Sequence, residues 1–181
     1  MANYERDEAD KALRLFTREH GMVYAIAKGV RKESSKLRYA LNSYSQIRVE
    51  MVQARGGWRI TGAELDQIFS DTYDAQQYLL IAEVFQFVDR LVQGEDPDAQ
   101  LYDLMQRYLR FIRENIVSLS VLEWHWKIAI LQVMGYLNLD QVDLALAIPL
   151  QELQVQSIEN LTNQEQALRS IVERALEESQ L

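Results

Sequence analysis

The sequence predicts an α+β protein in which a small β domain precedes a body made only of helices. Glycines and alternating apolar residues are concentrated in the first 61 residues, where the apolar side chains recur with a period of two. After residue 61 the apolar residues recur every three or four positions, which is typical of helices packed on a core. We therefore expect a β domain over residues 1–61 and a helical domain over residues 62–181.

Three segments of the first part have the character of strands. Residues 22–27 form a short apolar run bounded by glycines, and residues 44–52 alternate between apolar and polar side chains. A glycine-containing turn then leads into residues 58–61, so the last two segments predict a hairpin. Residues 12–17 are open to either assignment, because their composition favours a helix whereas the turn that follows them favours a strand.

Four helices are expected in the second part. Residues 73–93 carry an apolar stripe followed by a glycine, and the second helix is expected to be capped by Asp96 and to run to about residue 115. Residues 119–137 are the most continuously apolar and predict the most buried helix. Thr162 and Glu165 have the spacing of a capping box, which predicts the start of the last helix.

Charge is divided unequally between the two parts. Residues 1–60 carry twelve Lys and Arg against seven Asp and Glu, a net charge of +5. Residues 61–181 carry seven against twenty, a net charge of −13, and the chain as a whole has −8. A protein of that overall charge would repel a nucleic acid, but salt screens distant charges beyond roughly 10 Å. A local basic segment can therefore still bind phosphates.

The best candidate for such a segment is residues 28–38, which we call the basic loop. It contains five cations opposed by one glutamate, beside a glycine and two serines: Lys28, Arg31, Lys32, Lys36 and Arg38. Such a loop can bring charged groups to successive phosphates, and nearby aromatic side chains could stack on bases. Those aromatic residues are Tyr24, Tyr39, Tyr44 and Trp58. The alternative is a solvated loop that only aids solubility.

Catalytic and metal-binding sites have little support. Without cysteine the chain has no thiolate zinc ligand, disulfide or cysteine nucleophile. Neither His20 nor His125 has an evident nucleophile and orienting group nearby, and Glu123 would face a different side of a helix from His125. The acidic residues 95–98 could hold a cation, but acidic residues before a helix usually act as caps. We expect no catalysis, cofactor or metal, and no membrane span, since no run of 18 apolar residues occurs.

A second group of cations lies in the second predicted helix. Arg107, Arg110 and Arg113 follow each other at steps of three residues, so they lie along one side of the helix. They could receive an acidic peptide or a carboxylate. The alternative, which the pattern favours, is an ordinary solvent-exposed face opposite the apolar stripe.

Residues 8–41 resemble the N-terminal signature of the RecO family of bacterial recombination mediators. The shared elements are an acidic-x-Asp start, Leu-Phe-Thr followed by a glycine, Ala-Lys-Gly-x-Arg and Ser-Lys-Leu-Arg. They stand here at residues 8–10, 15–17 with Gly21, 27–31 and 35–38. The likeness continues more loosely to residue 137, through the helical segments.

The resemblance implies an OB-like β-barrel over residues 1–61 joined to an α-helical domain, and a function without catalysis. Members of the family bind single- and double-stranded DNA and anneal complementary strands. They contact the acidic C-terminal tail of the single-stranded-DNA-binding protein, and together with RecR they help to load the recombinase RecA. By this resemblance, the chain would act in DNA repair in the cytoplasm, associated with the nucleoid.

Three departures from the family pattern modify this expectation. Relatives usually have a further strand before the acidic-x-Asp start, where this chain has seven residues, so we expect an incomplete barrel with an open edge. Many relatives carry four cysteines after the third helix, whereas residues 137–150 contain none, which excludes a zinc module there. The C-terminal region is also short.

Residues and resemblance together predict a non-enzymatic, DNA-binding recombination mediator. The predicted phosphate contacts are Lys28, Arg31, Lys32, Lys36 and Arg38, with Arg48, Arg55 and Arg59 on the barrel face. The predicted contacts to the acidic tail are Arg107, Arg110, Arg113 and Lys127. The rivals are an acidic helical protein–protein adaptor that does not bind DNA, and a metal-dependent hydrolase, for which the ligand spacing is missing.

Overall fold

The structure, a computed structural model, describes residues 9–32, 35–92, 94–137 and 153–179. The chain divides into two compact units. Unit 1 comprises residues 1–78 with residues 92–97, and unit 2 comprises residues 79–91 with residues 98–181. All four described strands lie in unit 1 and most of the helical residues lie in unit 2, so the α+β class is confirmed.

The strands of unit 1 form one mixed sheet in the order β1-β2-β4-β3. Its members are β1 (Lys11–Thr17), β2 (Gly21–Ala27), β3 (Ser45–Ala54) and β4 (Gly57–Ile68). The pairs β1–β2 and β3–β4 are antiparallel hairpins, while β2 and β4 pair in parallel through two residues each. Among the described residues these strands form an open, OB-like sheet rather than a closed barrel, as the incomplete signature predicts.

The ambiguous residues 12–17 belong to a strand. Leu13 and Leu15 are buried while the residues between them are less so, which is the period of two that a half-buried strand requires. A three-residue turn then connects β1 to β2, and its geometry is fixed at Thr17 and Gly21. The Thr17 hydroxyl accepts the backbone N–H of His20 at 3.0 Å, and Gly21 has φ +61°.

The expectation that strand structure ends near residue 61 is wrong, because β4 continues to Ile68. Two residues of β4, Thr61 and Asp66, have no partner in the register with β3, so β4 contains two bulges. Each bulge shifts the apolar pattern by one position. Ile60 and Ala63 are thereby three residues apart, a helix-like spacing, although Ile60 is opposite Met51 and Ala63 is opposite Val49.

The core of unit 1 lies on one face of this sheet. Its buried members come from both hairpins and from the segment between them: Leu13, Leu15, Ala25, Ala27, Val30, Leu41 and Ile60. Partly buried side chains of β3 and β4 pack against this cluster, among them Ile47, Val49 and Met51. The opposite face of β3 therefore carries its polar residues.

Four helices begin and end within about four residues of the predicted positions, and two short helices were not predicted. The helices are α1 (Phe69–Thr72), α2 (Ala75–Leu91), α3 (Ala99–Glu114), α4 (Leu119–Val133), α5 (Val155–Asn160) and α6 (Glu165–Glu178). The two that were not predicted are α1 and α5. Helix α4 has nine buried residues, more than any other described helix, which confirms the prediction for residues 119–137. None of the described helices is long and apolar enough to cross a membrane.

Two predicted helix caps are wrong. Asp98, not Asp96, caps α3, since its carboxylate accepts the backbone N–H of Leu101 at 2.9 Å. The capping box at Thr162 is absent because residues 162–164 form a 3-10 turn that leads into α6. Glu165 instead accepts a hydrogen bond from Ser120 at the start of α4, at 3.0 Å. A long-range contact has replaced a local one.

Unit 2 contains a buried polar pair. The Tyr108 hydroxyl and Nδ1 of His125 are 2.6 Å apart, and Tyr108 also stacks on Trp126 with the ring centroids 4.9 Å apart. Burial lowers the pKa of His125 to about 4 and raises the pKa of Tyr108 far above its ordinary value. Tyr108 therefore stays protonated, and its hydroxyl donates a hydrogen bond to Nδ1 of a neutral imidazole.

Candidate nucleic-acid interface

The basic loop is anchored at its start by the backbone. Gly29 has φ +64°, a conformation that glycine adopts without strain, and its N–H donates to Oδ1 of Asp10 at 2.7 Å. The N–H of Arg31 donates to the carbonyl of Ala9 at 3.1 Å. Both partners precede β1, so the residues of the acidic-x-Asp start hold the loop that follows β2.

Apolar residues anchor the remainder of the loop. Val30 and Leu41 are 3% and 2% exposed, and Leu37 packs against the same core from a 3-10 turn formed by Lys36–Tyr39. The ammonium group of Lys11 donates to the carbonyl of Leu41 at 2.6 Å. The described residues of the loop are thus held to unit 1 at several points on both sides of residues 33–34.

The side chains between these anchors are directed to solvent. Lys28, Arg31, Lys32 and Arg38 are all exposed, whereas the side chain of Lys36 lies outside what the structure describes. Within the described residues, Lys28, Lys32 and Arg38 form no ion pair. An unpaired, exposed cation keeps the positive potential that a phosphate backbone requires.

The cations at this site are close enough to influence one another. The pKa of Lys11 is lowered from its ordinary value, first by partial burial and second by the positive charge of Arg31. Two neighbouring cations repel each other, and an anion placed between them would remove that repulsion. The side of the loop nearest β1 is therefore electrostatically suited to a phosphate.

The outer face of the sheet adds further cations. Arg59 is in register with Ile26 on β2 and with Val52 on β3, so it projects near the residues that lead into the basic loop. Arg55 is exposed in the turn between β3 and β4. Arg48 forms an ion pair with Glu64 at 2.8 Å, but both side chains are about 70% exposed. Such a pair contributes little to stability and can be exchanged for a phosphate contact.

Only two of the four aromatic candidates are available for stacking. Tyr39 is 73% exposed at the end of the basic loop, and Tyr24 is 57% exposed on β2. Trp58 is partly buried and donates its indole N–H to Glu95 at 2.9 Å. Tyr44 packs edge-on against Tyr78 with centroids 5.6 Å apart. Sequence proximity did not distinguish these roles, because they depend on residues 34 and 37 positions away.

An additional residue, Arg14, was not predicted. Its guanidinium lies 5.0 Å from the centroid of the Tyr24 ring, and the two residues are directly opposite each other on β1 and β2. This contact places a cation against one face of an exposed aromatic ring, a geometry that favours stacking of a base on the other face. The contact between Arg14 and Tyr24 depends on the register between β1 and β2, which cannot be read from the sequence.

The predicted protein-contact residues of unit 2 differ in their exposure to solvent. Arg107, Arg110 and Arg113 are exposed on α3, as their spacing predicts. Lys127 does not fit this set: it is 5% exposed, and its ammonium contacts Glu123 at 2.5 Å and Glu83 at 3.1 Å. A buried ammonium already held by two carboxylates is not an exposed docking cation, so we remove Lys127 from the candidate contacts.

The acidic and histidine residues considered for catalysis have other contacts. His20 packs against Trp58 with centroids 4.9 Å apart, and His125 is hydrogen-bonded to Tyr108. Glu95 accepts from Trp58, and Asp98 caps α3. No group of three or more potential metal ligands occurs among the residues that the structure describes. Residues 138–152, which cover most of the segment where a zinc module was excluded, lie outside those residues.

Comparison with known proteins shows which family the part of the chain that carries the sheet is similar to. Residues 1–69 match the family model described as "Recombination protein O N terminal", a range that contains all four strands and ends at the first residue of α1. Residues 1–69 therefore resemble a RecO N-terminal domain. The RecO resemblance inferred from residues 8–41 is thereby confirmed, and the whole basic loop lies inside the matched range.

Several curated relatives carry the RecO name. A "DNA repair protein RecO" from Myxococcus xanthus is 32% identical over 114 residues, which are 60% of this chain and 46% of that protein. Proteins of the same name from Nocardioides sp. and Caldanaerobacter subterraneus are 31% and 22% identical, over 61% and 72% of this chain and 46% and 53% of their own lengths. This RecO-like chain spans about half the length of the curated relatives that it matches.

Proposed function

We propose that this chain is a non-enzymatic recombination mediator in DNA repair that binds and anneals single-stranded DNA. The observation that carries the proposal is the basic loop, whose exposed cations are held on an anchored backbone inside a domain that resembles a RecO N-terminal domain. The proposed phosphate contacts are those that the sequence predicts: Lys28, Arg31, Lys32, Lys36, Arg38, Arg48, Arg55 and Arg59. Tyr24 and Tyr39 add stacking surfaces for bases.

Binding of this kind would show little sequence preference. The contacts are cations, backbone amides and aromatic faces, and each of these recognises features common to all nucleotides. The same positive surface would hold double-stranded DNA. Annealing then needs no chemical step, because strands whose phosphates are screened on a positive surface meet more often.

In this proposal the two parts of the chain divide the work. The β domain, predicted over residues 1–61 and extended by β4 to Ile68, contacts DNA, and the helical domain that follows it contacts proteins. RecR and the acidic C-terminal tail of the single-stranded-DNA-binding protein are the proposed partners. The net charge of −13 after residue 60 disfavours wrapping of DNA around the helical domain. Arg107, Arg110 and Arg113 are the proposed contacts for the acidic tail, and the protein would act in the cytoplasm on the nucleoid.

A charge-reversal variant tests the DNA-binding surface. Replacing Arg31, Lys32 and Lys36 by Glu should abolish retention of a short fluorescent single strand at low salt, measured by fluorescence anisotropy. The matched control is replacement of Arg107, Arg110 and Arg113 by Glu, which changes the net charge by the same amount in the other unit. The control should bind the strand like the parent protein. Equal loss of binding in both variants, or none in the first, would refute the assignment.

A salt titration separates this function from a helical adaptor that does not bind DNA. About four or five phosphate contacts, the number that the cations of the basic loop can make on a single strand, predict that log K falls with log salt with a slope of about −3. The adaptor predicts no measurable binding at any salt concentration. Circular dichroism of each variant should match the parent protein, so that a loss of binding is not a loss of folding.

A further inference from the structure

The outer face of the unit 1 sheet carries an aromatic ring that a cation contacts from one side. Tyr24 is 57% exposed on β2, and the guanidinium of Arg14, directly opposite on β1, lies 5.0 Å from the ring centroid. An Nη atom of Arg14 also donates to the carbonyl of Val92 at 3.5 Å. Contacts with both the ring and the backbone restrict the guanidinium, and the guanidinium in turn restricts the ring.

Apolar side chains continue this surface across the sheet. Ile26 lies on the same face of β2 as Tyr24, because side chains two positions apart on a strand point to the same side. In register with Ile26 are Arg59 on β4 and then Val52 on β3, whose side chain is 47% exposed. The outer face therefore combines an aromatic ring and apolar side chains with arginines, a combination that suits nucleobases as well as phosphates.

Strand β2 connects this surface to the basic loop. The strand ends at Ala27, and Lys28 follows directly, four residues beyond Tyr24. At about 3.3 Å per residue, the ring and the first cation of the loop are roughly 13 Å apart along the chain. A short oligonucleotide can therefore place its phosphates on the basic loop and one of its bases on the ring.

We propose that Tyr24, backed by Arg14, makes this domain distinguish unpaired bases from paired ones, an inference that rests on the DNA binding proposed above. A base of a single strand can stack on the exposed face of the ring while the guanidinium lies against the other face. In a duplex each base is already paired and stacked. Unstacking one base step costs at least as much as one contact with an aromatic ring returns.

A duplex is therefore held through its phosphates alone, and a strand loses the Tyr24 contact when it anneals. The two forms of DNA also differ in charge density, which changes their absolute affinities for any basic surface. The informative quantity is the effect of one substitution on each form. A change at Tyr24 should alter the binding of unpaired bases and leave the binding of phosphates as it is.

Three probes that differ in their bases test the proposal by fluorescence anisotropy. They are a short oligothymidylate, an abasic strand with the same number of phosphates, and the duplex of the oligothymidylate with oligoadenylate. Tyr24→Ala should lower the affinity for the oligothymidylate about tenfold and leave the other two affinities unchanged. Tyr24→Leu, which keeps an apolar side chain without a flat ring, should behave in the same way. Tyr24→Phe keeps the ring and should bind all three probes like the parent protein.

Arg14 is proposed as a positioning residue, and it acts through the ring. Arg14→Met should weaken binding of the oligothymidylate about threefold beyond its effect on the abasic strand, which measures the loss of charge alone. The same change in the Tyr24→Ala background should weaken both strands equally, because the cation then has no ring to contact. The matched control is Leu79→Ala, which removes a side chain of unit 2 that is 66% exposed and should change none of the three affinities.

The possible outcomes separate this inference from the proposed function. If the parent protein binds the oligothymidylate and the abasic strand equally well, bases do not contribute and the inference fails, while the proposed DNA binding stands. Equal losses on all three probes in a Tyr24→Leu variant with the circular dichroism of the parent, or no loss on any probe, would also overturn the inference. A parent protein that binds none of the probes would overturn both.

Discussion

The buried His125 should make unit 2 unstable in mild acid, and the size of the effect follows from its pKa. The ordinary histidine pKa is 6.5, and burial lowers that of His125 to about 4. Between these values the unfolded chain binds a proton that the folded chain does not, so stability falls as the pH falls. The contribution is complete above pH 6.5. The loss is about 2 kcal/mol at pH 5 and levels off near pH 4 at about 3 kcal/mol.

Urea unfolding at pH 7.5 and at pH 5 measures this effect. Trp58 is the only tryptophan outside unit 2, so in a Trp58→Phe background the fluorescence reports unit 2 alone. His125→Leu removes the titrating group at similar volume, and the variant should lose about 2 kcal/mol less than its parent between the two pH values. Carboxylates that titrate in the same range affect parent and variant alike, so the difference isolates His125.

Variants at His20 and Tyr108 serve as controls for the effect of His125. His20 is exposed, and His20→Gln should leave the pH dependence of unit 2 unchanged. Tyr108→Phe removes the hydrogen bond to the buried imidazole and should cost about 1–3 kcal/mol at pH 7.5. If His125→Leu loses as much stability between pH 7.5 and pH 5 as its parent, the histidine is not held neutral by burial and the reasoning fails.

Two further predictions concern positions where one contact decides the cost. Gly21→Ala should destabilise unit 1 far more than Gly29→Ala in thermal unfolding. Both glycines have positive φ, which costs an alanine roughly 1–2 kcal/mol, but a Cβ at Gly21 would lie 2.3 Å from the carbonyl oxygen of Asp96, whereas at Gly29 nothing lies closer than 3.7 Å. Equal losses of stability in the two variants would show that the backbone at Asp96 moves aside without cost, and would contradict this prediction. Lys127→Met should destabilise unit 2 by about 3 kcal/mol, because it leaves the half-buried Glu123 without its cation, and a second change, Glu123→Leu, should restore most of that loss in urea unfolding. A double variant as unstable as the single one would contradict this account.

Features that depend on neighbouring residues were predicted correctly or nearly so. Helix α4 was predicted because its apolar residues are consecutive, and such a segment is buried wherever it packs. The described cations of the basic loop are exposed, and DNA binding by this loop stays a prediction. The cap at Asp98 was misplaced by two residues, since three acidic residues precede the helix and only the backbone conformation selects one of them.

The errors have a common physical cause, which is contact between residues distant in sequence. Strand β4 was cut short because two bulges shift its apolar residues from the spacing of a strand to that of a helix, and bulges are defined only against the partner strand. Lys127 was taken for an exposed cation, but it is buried and donates a hydrogen bond to Glu83, which lies 44 residues earlier.

The sequence by itself determined the class of the fold, the polarity of charge along the chain and the RecO signature, because each depends on residues close together in the chain. The tertiary structure decided which side chains of that signature are buried and which are exposed. It showed that Val30 and Leu37 hold the basic loop while Lys28 and Lys32 face solvent. Burial and strand pairing are set by the packing of distant segments, which no local pattern records.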